Sequence, residues 1–304
     1  MYNRLANAWT WSLTVLLVIV GFLWMSIVFL LTAPFDPGRY IAGRWFRRLG
    51  VAQVSLNPLW HFETRGVRIT DPRRPYVAVS NHESYADIFL ISHLPWEMKW
   101  LAKASLFKIP VFGWMMRMAG DIPIRRTKRD SRRDALDACR DRLTKRVSVM
   151  IFPEGTRSAD GALLPFKDGA FMLALEAGAP ILPIAVVGTS QGMAKGTFQF
   201  RRARAICEVL PPVETAGLDR DQLPRLKAEV RATIIAARAR LRAELGLPPA
   251  DSDETPDDEF AVSPDEASTS ELPSSSELPS SGAATDASEA TPARDAAALR
   301  AGDA

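Results

Sequence analysis

The sequence predicts an α/β fold, with a mixed and mostly parallel sheet flanked by helices. A membrane helix and an interfacial helix are predicted before it, and a disordered tail after it. Short apolar runs of strand character alternate with amphipathic helical patterns in the middle of the chain, which is typical of strands joined by helical crossovers. An uncharged apolar stretch precedes this alternation, and a stretch rich in Ser, Pro, Ala, Asp and Glu follows it. The 304 residues therefore divide into residues 1–50, 51–247 and 248–304.

The first segment begins with an apolar stretch, and residues 5–35 contain no charged side chain. A helix needs about 20 such residues to cross a bilayer core. A cleavable signal peptide is the competing interpretation, but its apolar region has about 7–15 residues and ends at a small-residue cleavage site. Neither feature fits residues 13–31 or the Pro-Phe-Asp-Pro run that follows at residues 34–37. The pattern favours a retained anchor and leaves open whether the helix spans the bilayer or lies in one leaflet.

Residues 38–49 mix arginine with bulky apolar side chains, which predicts a second helix in the membrane interface. Four arginines follow the apolar stretch and one precedes it, namely Arg39, Arg44, Arg47 and Arg48 against Arg4. An excess of positive charge marks the cytoplasmic side of a membrane helix. The protein is therefore predicted to be membrane-anchored, with the domain at residues 51–247 on the cytoplasmic face of the inner or plasma membrane.

Residues 51–247 carry the alternating pattern of the body. Strands are predicted at residues 76–80, 121–125, 147–152, 181–187 and 204–210. Pro123 lacks an amide hydrogen, so the second of these strands is expected at a sheet edge or a bulge. Helices are predicted at residues 85–93, 131–146, 168–177 and 221–245. The last of them has apolar residues at spacings of three and four, as an amphipathic helix requires.

Charge is unevenly distributed along the chain. From Pro248 onward there are 14 acidic and 2 basic residues, which leaves 36 basic and 21 acidic residues before it and a formal net charge of +15 there. A basic body suits anionic membrane lipids, anionic substrates or nucleic acid. Nucleic acid is not predicted as a partner, since no helix-turn-helix, zinc-finger or ribonucleoprotein motif is found. The acidic tail, residues 248–304, has too few apolar residues to offset its ordering entropy.

The run from Asn81 to Asp87 closes one predicted strand and opens a helix. A histidine with a carboxylate to orient it is half of a general-base site. His82 and Asp87 meet only if the histidine lies in the turn and the aspartate in the first helical turn, because residues five apart in a helix diverge. Ser84 and Asp87 also match a capping box, in which the aspartate merely supports the helix start. Both interpretations fit the sequence.

Three further segments place charged or small residues after an apolar strand: residues 120–126, 149–158 and 181–185. In open α/β sheets the ligand crevice lies outside the carboxyl ends of the strands. The planar guanidinium of arginine binds phosphate through paired, charge-assisted hydrogen bonds. Arginine and histidine delivered to that edge predict an anionic substrate beside a base. The two cysteines, Cys139 and Cys207, lack metal-ligand spacing and are interpreted as neutral thiols in a reducing compartment.

Together these segments resemble the PlsC family of glycerolipid acyltransferases, which includes 1-acyl-sn-glycerol-3-phosphate acyltransferases. His82 and Asp87 match the family's signature of a histidine, four residues and an aspartate. Residues 120–126 match its second block, with Arg126 at the phosphate-binding arginine position. Residues 152–157 match its third block without a departure, and residues 182–184 match its proline-centred fourth block.

The resemblance implies transfer of an acyl group from a thioester to the free hydroxyl of a lysophospholipid, most simply lysophosphatidic acid. It implies His82 as general base oriented by Asp87. The implied substrate-binding residues are Arg126, Glu154, Gly155, Thr156, Arg157, Lys103 and Lys167. No cofactor or metal is implied, because thioester exchange needs neither. The cosubstrate is acyl-CoA or acyl carrier protein, a choice that stays open.

Two alternatives remain at this point. The acceptor is another lysophospholipid, or a lyso-aminolipid without a phosphate. Alternatively, the protein is a non-catalytic adaptor that uses its anchor, basic face and acidic tail at a membrane surface. The adaptor explains the charge distribution but gives no reason for His82, Asp87 and Arg157 to occur together.

Overall fold

A seven-stranded sheet organises the part of the chain that this computed structural model describes, residues 2–125, 129–158, 161–194, 197 and 199–250. The strands are β1 Trp60–Gly66, β2 Val77–Ser80, β3 Met98–Lys103, β4 Ile122–Ile124, β5 Ser148–Ile151, β6 Ile181–Val187 and β7 Ala203–Val209. Their order across the sheet is β1-β7-β6-β2-β5-β3-β4. Residues 251–304, and with them nearly all of the predicted tail, lie outside the described residues.

The sheet is mixed and mostly parallel, as predicted. The strands β6, β2, β5, β3 and β4 all run in one direction, whereas β7 is antiparallel to β6 and β1 is parallel to β7. The carboxyl ends of five strands therefore share one edge of the sheet. Pro123 lies in β4, the last strand in the order, so its expected place at a sheet edge is confirmed.

Helices cover both faces of the sheet. They are α1 Tyr2–Thr32, α2 Tyr40–Ser55, α3 Ala86–Ile91, α4 Phe112–Ala119, α5 Arg129–Thr144, α6 Gly169–Ala177, α7 Thr189–Gly192 and α8 Leu223–Glu244. Side chains alternate along β2, because successive residues in a strand point to opposite faces. Val77 and Val79 pack with α5, α6 and α8, while Ala78 packs with α3 on the other face. The apolar stripe predicted for α8 is buried in the first of these clusters.

Helix α1 is packed on the rest of the protein along most of its length. Its buried residues recur at helical spacing, at Ala6, Thr10, Leu13, Gly21, Met25 and Val28. Near its start the Asn7 side chain exchanges two hydrogen bonds with the backbone of Phe200, each of 2.8 Å. Further along, Met25 packs against Met115 and Ala119 of α4. The opposite face is apolar and exposed, and the helix is long and apolar enough to cross a membrane.

Helix α2 begins close to the predicted position but continues to Ser55, and two of its arginines bind inside the protein. Arg44 donates to the carbonyl of Leu94 over 2.9 Å. Arg47 is buried and pairs with Asp121 and with Glu97. These arginines were counted as flanking charges of a membrane helix, but their side chains are directed to the protein. The partners lie roughly 50 to 74 residues away in sequence, so local pattern did not identify them.

Among the described residues, two strands and two helices were not predicted. Strand β1 carries charges at Glu63 and Arg65 and has no continuous apolar run. Strand β3 includes Lys99, which is fully buried and donates to Glu97 over 3.0 Å and to two backbone carbonyls over 2.7 Å. Charges within a strand concealed both elements, because sequence patterns treat charge as a sign of exposure. The helices α4 and α7 are short.

Candidate active site

The turn between β2 and α3 holds His82 against Asp87. Strand β2 ends at Ser80, and the Asn81 side chain then pairs with both backbone groups of Val186 in β6, over 2.8 and 2.9 Å. Helix α3 begins at Ala86, which places Asp87 in its first turn. The Nδ1 atom of His82 lies 2.7 Å from Oδ2 of Asp87. The expected arrangement, histidine in the turn and aspartate in the helix start, is therefore present.

The carboxylate of Asp87 is fully buried and surrounded by donors. Its Oδ2 also accepts from the backbone N–H of Glu83 over 2.9 Å and of Ser84 over 3.0 Å. Its Oδ1 accepts from the hydroxyl of Thr189. An ionised carboxylate only accepts, so Nδ1 of His82 carries the proton in this contact and Nε2 is left as the basic nitrogen.

The capping interpretation is met in part. Asp87 reaches back to the N–H of Ser84, as the acidic member of a capping box does. In a capping box the serine hydroxyl accepts from the N–H of the residue three positions on, which here would be Asp87. The Ser84 hydroxyl instead donates to the carbonyl of Met193 over 2.6 Å and accepts from Ala86 N–H over 3.1 Å. The contacts that fix the helix start also hold Asp87 beside His82, so the two interpretations are compatible.

The loop after β5 supports the histidine turn. Oε1 of Glu154 accepts from His82 N–H over 2.6 Å, and Oε2 accepts from Leu164 N–H over 3.0 Å. Ser158 N–H donates to the carbonyl of His82 over 3.1 Å. The Phe152 ring stacks on the imidazole with the ring centroids 3.9 Å apart. Burial raises the pKa of Glu154 to about 7, against the opposing effect of its two N–H donors. The Glu154 carboxylate thus connects the histidine turn to the backbone at Leu164 by hydrogen bonds.

Two cationic side chains, Lys167 and Arg157, lie at the loop after β5. Gly155 has a φ of +70°, and a Cβ there would lie 2.8 Å from Nζ of Lys167. A left-handed conformation and this close approach both favour glycine. The guanidinium of Arg157 lies over the ring of Tyr85, 3.8 Å from its centroid. Thr156, between Gly155 and Arg157 in the sequence, is exposed. The third block therefore brings a lysine and an arginine to the histidine turn.

Other predicted site residues are placed less closely. Lys103 ends β3 and is exposed at the carboxyl edge of the sheet, the edge shared by the histidine turn. Arg126 lies outside the described residues. Arg117, a nearby arginine, donates to Gly113 within its own helix over 3.3 Å. The described residues contain no group of three or more His, Cys, Asp or Glu side chains that could hold a metal ion.

A cleft of about 260 Å³ opens beside the loop after β5. Its lining includes Leu101, Ile124, Ile151, Phe152, Gly155 and Lys167. Leu101, Ile124 and Ile151 pack on the face of the sheet that α5 and α6 cover. The Phe152 ring packs on the opposite face, where it stacks on His82, so the cleft lies beside the loop after β5 and His82 does not line it. Its walls are mainly apolar and also include the cationic residues Arg132 and Lys167, which suits a ligand with apolar and anionic parts.

Sequence reasoning missed Glu83, a carboxylate buried behind the dyad. It accepts from Gly188 N–H over 3.1 Å and from the Ser190 hydroxyl over 3.4 Å, and lies 3.9 Å from the guanidinium of Arg238. Burial, together with the neighbouring carboxylate of Asp87, raises the pKa of Glu83 to about 7. Arg238 does not belong to the apolar stripe of α8, yet it is almost fully buried.

Thr189 was also missed, although a signal for it exists. It stands two residues beyond β6, at the same edge where β2 and β5 deliver their site residues. The rule that ligands and catalytic groups gather at carboxyl ends of strands applies to β6 as well. Applied to the end of the predicted strand 181–187, it would have identified this residue.

Comparison with known proteins places the chain in a family. A model of the Acyltransferase family matches residues 61–187. The chain is 39% identical over 159 residues to a chloroplastic 1-acyl-sn-glycerol-3-phosphate acyltransferase of Brassica napus, covering 52% of this chain and 44% of that protein. It is 33% identical over 216 residues to the human 1-acyl-sn-glycerol-3-phosphate acyltransferase alpha, covering 70% of this chain and 76% of the human protein. The chain thus spans less than half the length of the plant relative.

A solved structure has the same architecture. The crystal structure of the 1-acyl-sn-glycerophosphate acyltransferase PlsC from Thermotoga maritima superposes with a TM-score of 0.66 at 25% identity. The match covers 80% of this chain and 97% of the Thermotoga chain. Residues 181–185 were expected to follow a strand, but they lie inside β6. These matches agree with the order of the four motif blocks along the chain. The chain therefore belongs to the PlsC-type acyltransferase family.

Proposed function

We propose that this protein transfers a fatty acyl group from an acyl thioester to the free hydroxyl of 1-acyl-sn-glycerol 3-phosphate, which gives phosphatidic acid. The observation that carries the proposal is the 2.7 Å contact between His82 and Asp87, next to the loop of Arg157. A base and a phosphate-binding group side by side suit an acceptor that has both a hydroxyl and a phosphate. The names of the relatives describe the same reaction.

In the proposed mechanism, Nε2 of His82 removes the proton of the acceptor hydroxyl as its oxygen attacks the thioester carbonyl. Asp87 holds the ring and stabilises the imidazolium that forms. Collapse of the tetrahedral intermediate breaks the carbon–sulfur bond. The departing thiolate takes the proton from His82, which restores the neutral base. No acyl-enzyme is needed in this sequence, and Ser84 is committed to a backbone carbonyl.

Arg157, with Arg126, is proposed to bind the acceptor phosphate. The contact of Arg157 with the Tyr85 ring supports this role, because it holds the guanidinium next to the histidine turn, and a guanidinium binds phosphate through paired hydrogen bonds. Lys167 and Lys103 are proposed as further contacts to substrate phosphates. Thr156 and Gly155 shape the same pocket. The thioester donor is acyl-CoA or acyl carrier protein.

One acceptor panel tests the proposal. The purified full chain is given a single labelled acyl thioester with lysophosphatidic acid, with lysophosphatidylcholine, or with a lyso-aminolipid that has no phosphate. We expect lysophosphatidic acid to have the highest kcat/KM. A preference for the lyso-aminolipid would support the alternative acceptor instead. Binding to anionic liposomes without any consumption of thioester would support the adaptor.

The proposed location is a membrane surface, with α1 lying in one leaflet and the catalytic unit on the cytoplasmic face. Buried contacts recur along α1 from Ala6 to Val28, a length of about 33 Å at 1.5 Å per residue. A spanning helix of that length would carry its protein contacts through the whole bilayer. The exposed apolar face of α1 suits an in-plane helix, which buries one face in lipid.

Thiol labelling tests this placement. Cys139 and Cys207 are buried, so introduced cysteines at exposed positions are the accessible thiols. Arg4→Cys and Pro37→Cys mark the two ends of α1, where both side chains are exposed and neither belongs to the apolar face proposed to lie in lipid. We expect a membrane-impermeant maleimide to label both variants in inverted vesicles and neither in right-side-out vesicles. Labelling of the two ends from opposite sides would show instead that α1 spans the bilayer.

A further inference from the structure

We propose that Thr189 is a positioning residue for acyl transfer, which acts by holding the Asp87 carboxylate in the orientation that His82 needs. This inference rests on the proposed function. Thr189 follows β6 and is fully buried, so it touches no substrate. Its hydroxyl donates to Oδ1 of Asp87. It therefore reaches the base only through the carboxylate.

The two oxygens of Asp87 have separate tasks. Oδ2 accepts from Nδ1 of His82 and from two backbone N–H groups of the turn, Glu83 and Ser84. Oδ1 has one hydrogen-bond donor among the described residues, the Thr189 hydroxyl. Without that donor, Oδ1 is a buried charged acceptor with no partner, which is costly. The carboxylate would then turn or attract a proton, and either change weakens its hold on the imidazole.

The hydroxyl donor is itself held rigidly. Gly188 has a φ of +95°, and a Cβ there would lie 2.3 Å from the carbonyl oxygen of Arg204, so the chain turns sharply and packs closely before Thr189. Glu83 accepts from Gly188 N–H over 3.1 Å and from Ser190 over 3.4 Å, which fixes the turn from both sides of Thr189. The carboxylates of Glu83 and Asp87 therefore both accept hydrogen bonds from the turn that follows β6.

This hydrogen bond links the His82–Asp87 dyad to the segment that follows the neighbouring strand. Asp87 belongs to the segment after β2, and Thr189 to the segment after β6, the strand that pairs with β2 in parallel. A donor fixed to a neighbouring strand keeps the carboxylate in place even as substrate enters from the side of His82. Acyl transfer requires the base to be held in the orientation in which it reaches the acceptor hydroxyl. Buried supporting contacts such as this one hold it there.

Two pairs of variants isolate the hydroxyl. Thr189→Val keeps the shape of the side chain and removes the hydroxyl, whereas Thr189→Ser keeps the hydroxyl and removes the methyl group. Thr189→Ala serves as the partner of Thr189→Ser if Thr189→Val fails to fold. We expect Thr189→Val and Thr189→Ala to lower kcat about 10-fold with KM values for donor and acceptor unchanged. Thr189→Ser is expected to stay within about 3-fold of wild type.

The Asp87→Asn background tests whether the effect runs through the carboxylate. Combined with Asp87→Asn, the Thr189→Val change is expected to cause no further loss of kcat, because residues that act as one unit are not additive. A further 10-fold loss in that background would overturn the inference. So would equal kcat for Thr189→Ser and Thr189→Ala, or wild-type kcat for Thr189→Val.

Thr215→Val is the matched control. Thr215 is also buried, and its hydroxyl bonds only to carbonyls, one of them that of Ala179 over 2.9 Å, just before β6 begins. It therefore lies at the opposite end of the same strand, and its loss is expected to lower the unfolding temperature without changing kcat. A loss of kcat equal to that of Thr189→Val would overturn the inference. A folded wild-type chain that consumes no thioester would overturn the proposed function and this inference with it.

Discussion

His82→Ala is expected to lower kcat for acyl transfer by about 10³-fold, within the range that general-base catalysis contributes. The KM for each substrate should change little, because the base acts on the acceptor proton in the transition state and not in the bound ground state. The measurement is the initial rate of thiol release from an acyl thioester with lysophosphatidic acid. Far-ultraviolet circular dichroism and the unfolding temperature report whether the stack on Phe152 is also needed for folding.

The other two histidines are the controls. His93 lies two residues after α3 with Nδ1 2.9 Å from the carbonyl of Phe89, and His61 is exposed on β1. His93→Ala and His61→Ala are expected to keep kcat within about 3-fold of wild type, as substitutions away from a site do. Wild-type kcat for His82→Ala would remove the general base from the mechanism. An equal loss in all three variants would indicate a general effect on folding.

Much of the site follows from the sequence because it is built at strand ends. His82, Asp87 and Arg157 each stand within a few residues of an apolar strand, and parallel strands bring their carboxyl ends to one edge. The contacts that orient these residues could not be predicted. Thr189 and Glu154 contact the histidine turn from 102 and 72 residues away, and which N–H or carboxylate they meet depends on strand order. Sequence spacing carries no information on that order.

Helices and strands could be predicted where apolar side chains are buried and charged side chains are exposed. They could not be predicted where charges pair in the interior. Arg47, Glu97, Lys99 and Asp121 form a buried cluster that joins α2, β3 and the start of β4. Burial lowers the pKa of Lys99 and raises that of Glu97, since their mutual attraction offsets only part of the desolvation cost. A strand that contains Lys99 and directly follows Glu97 does not have the pattern of a buried strand.

Arg157→Ala is expected to raise the KM for lysophosphatidic acid about 10- to 100-fold, with kcat changed much less. Charge-assisted hydrogen bonds contribute about 1.5–3 kcal/mol each, and about 1.4 kcal/mol corresponds to a factor of ten in affinity. The phosphate is remote from the reacting hydroxyl, so it binds ground state and transition state alike. Arg157→Lys should lie between the two, because an ammonium keeps the charge and loses the planar fork.

Comparison of acceptors makes this test specific. Monoacylglycerol has the same hydroxyl and no phosphate, so its kcat/KM should not change in Arg157→Ala, and the preference for the phosphate acceptor should shrink by the same 10- to 100-fold factor. Arg73→Ala is the matched control, since Arg73 also stacks on an aromatic ring, 4.3 Å from the centroid of Tyr40, but precedes β2 at the opposite edge of the sheet. An unchanged KM in Arg157→Ala, or an equal rise in Arg73→Ala, would contradict phosphate binding by Arg157. An equal loss with both acceptors would instead indicate that the stack on Tyr85 shapes the histidine turn, because that effect does not depend on phosphate.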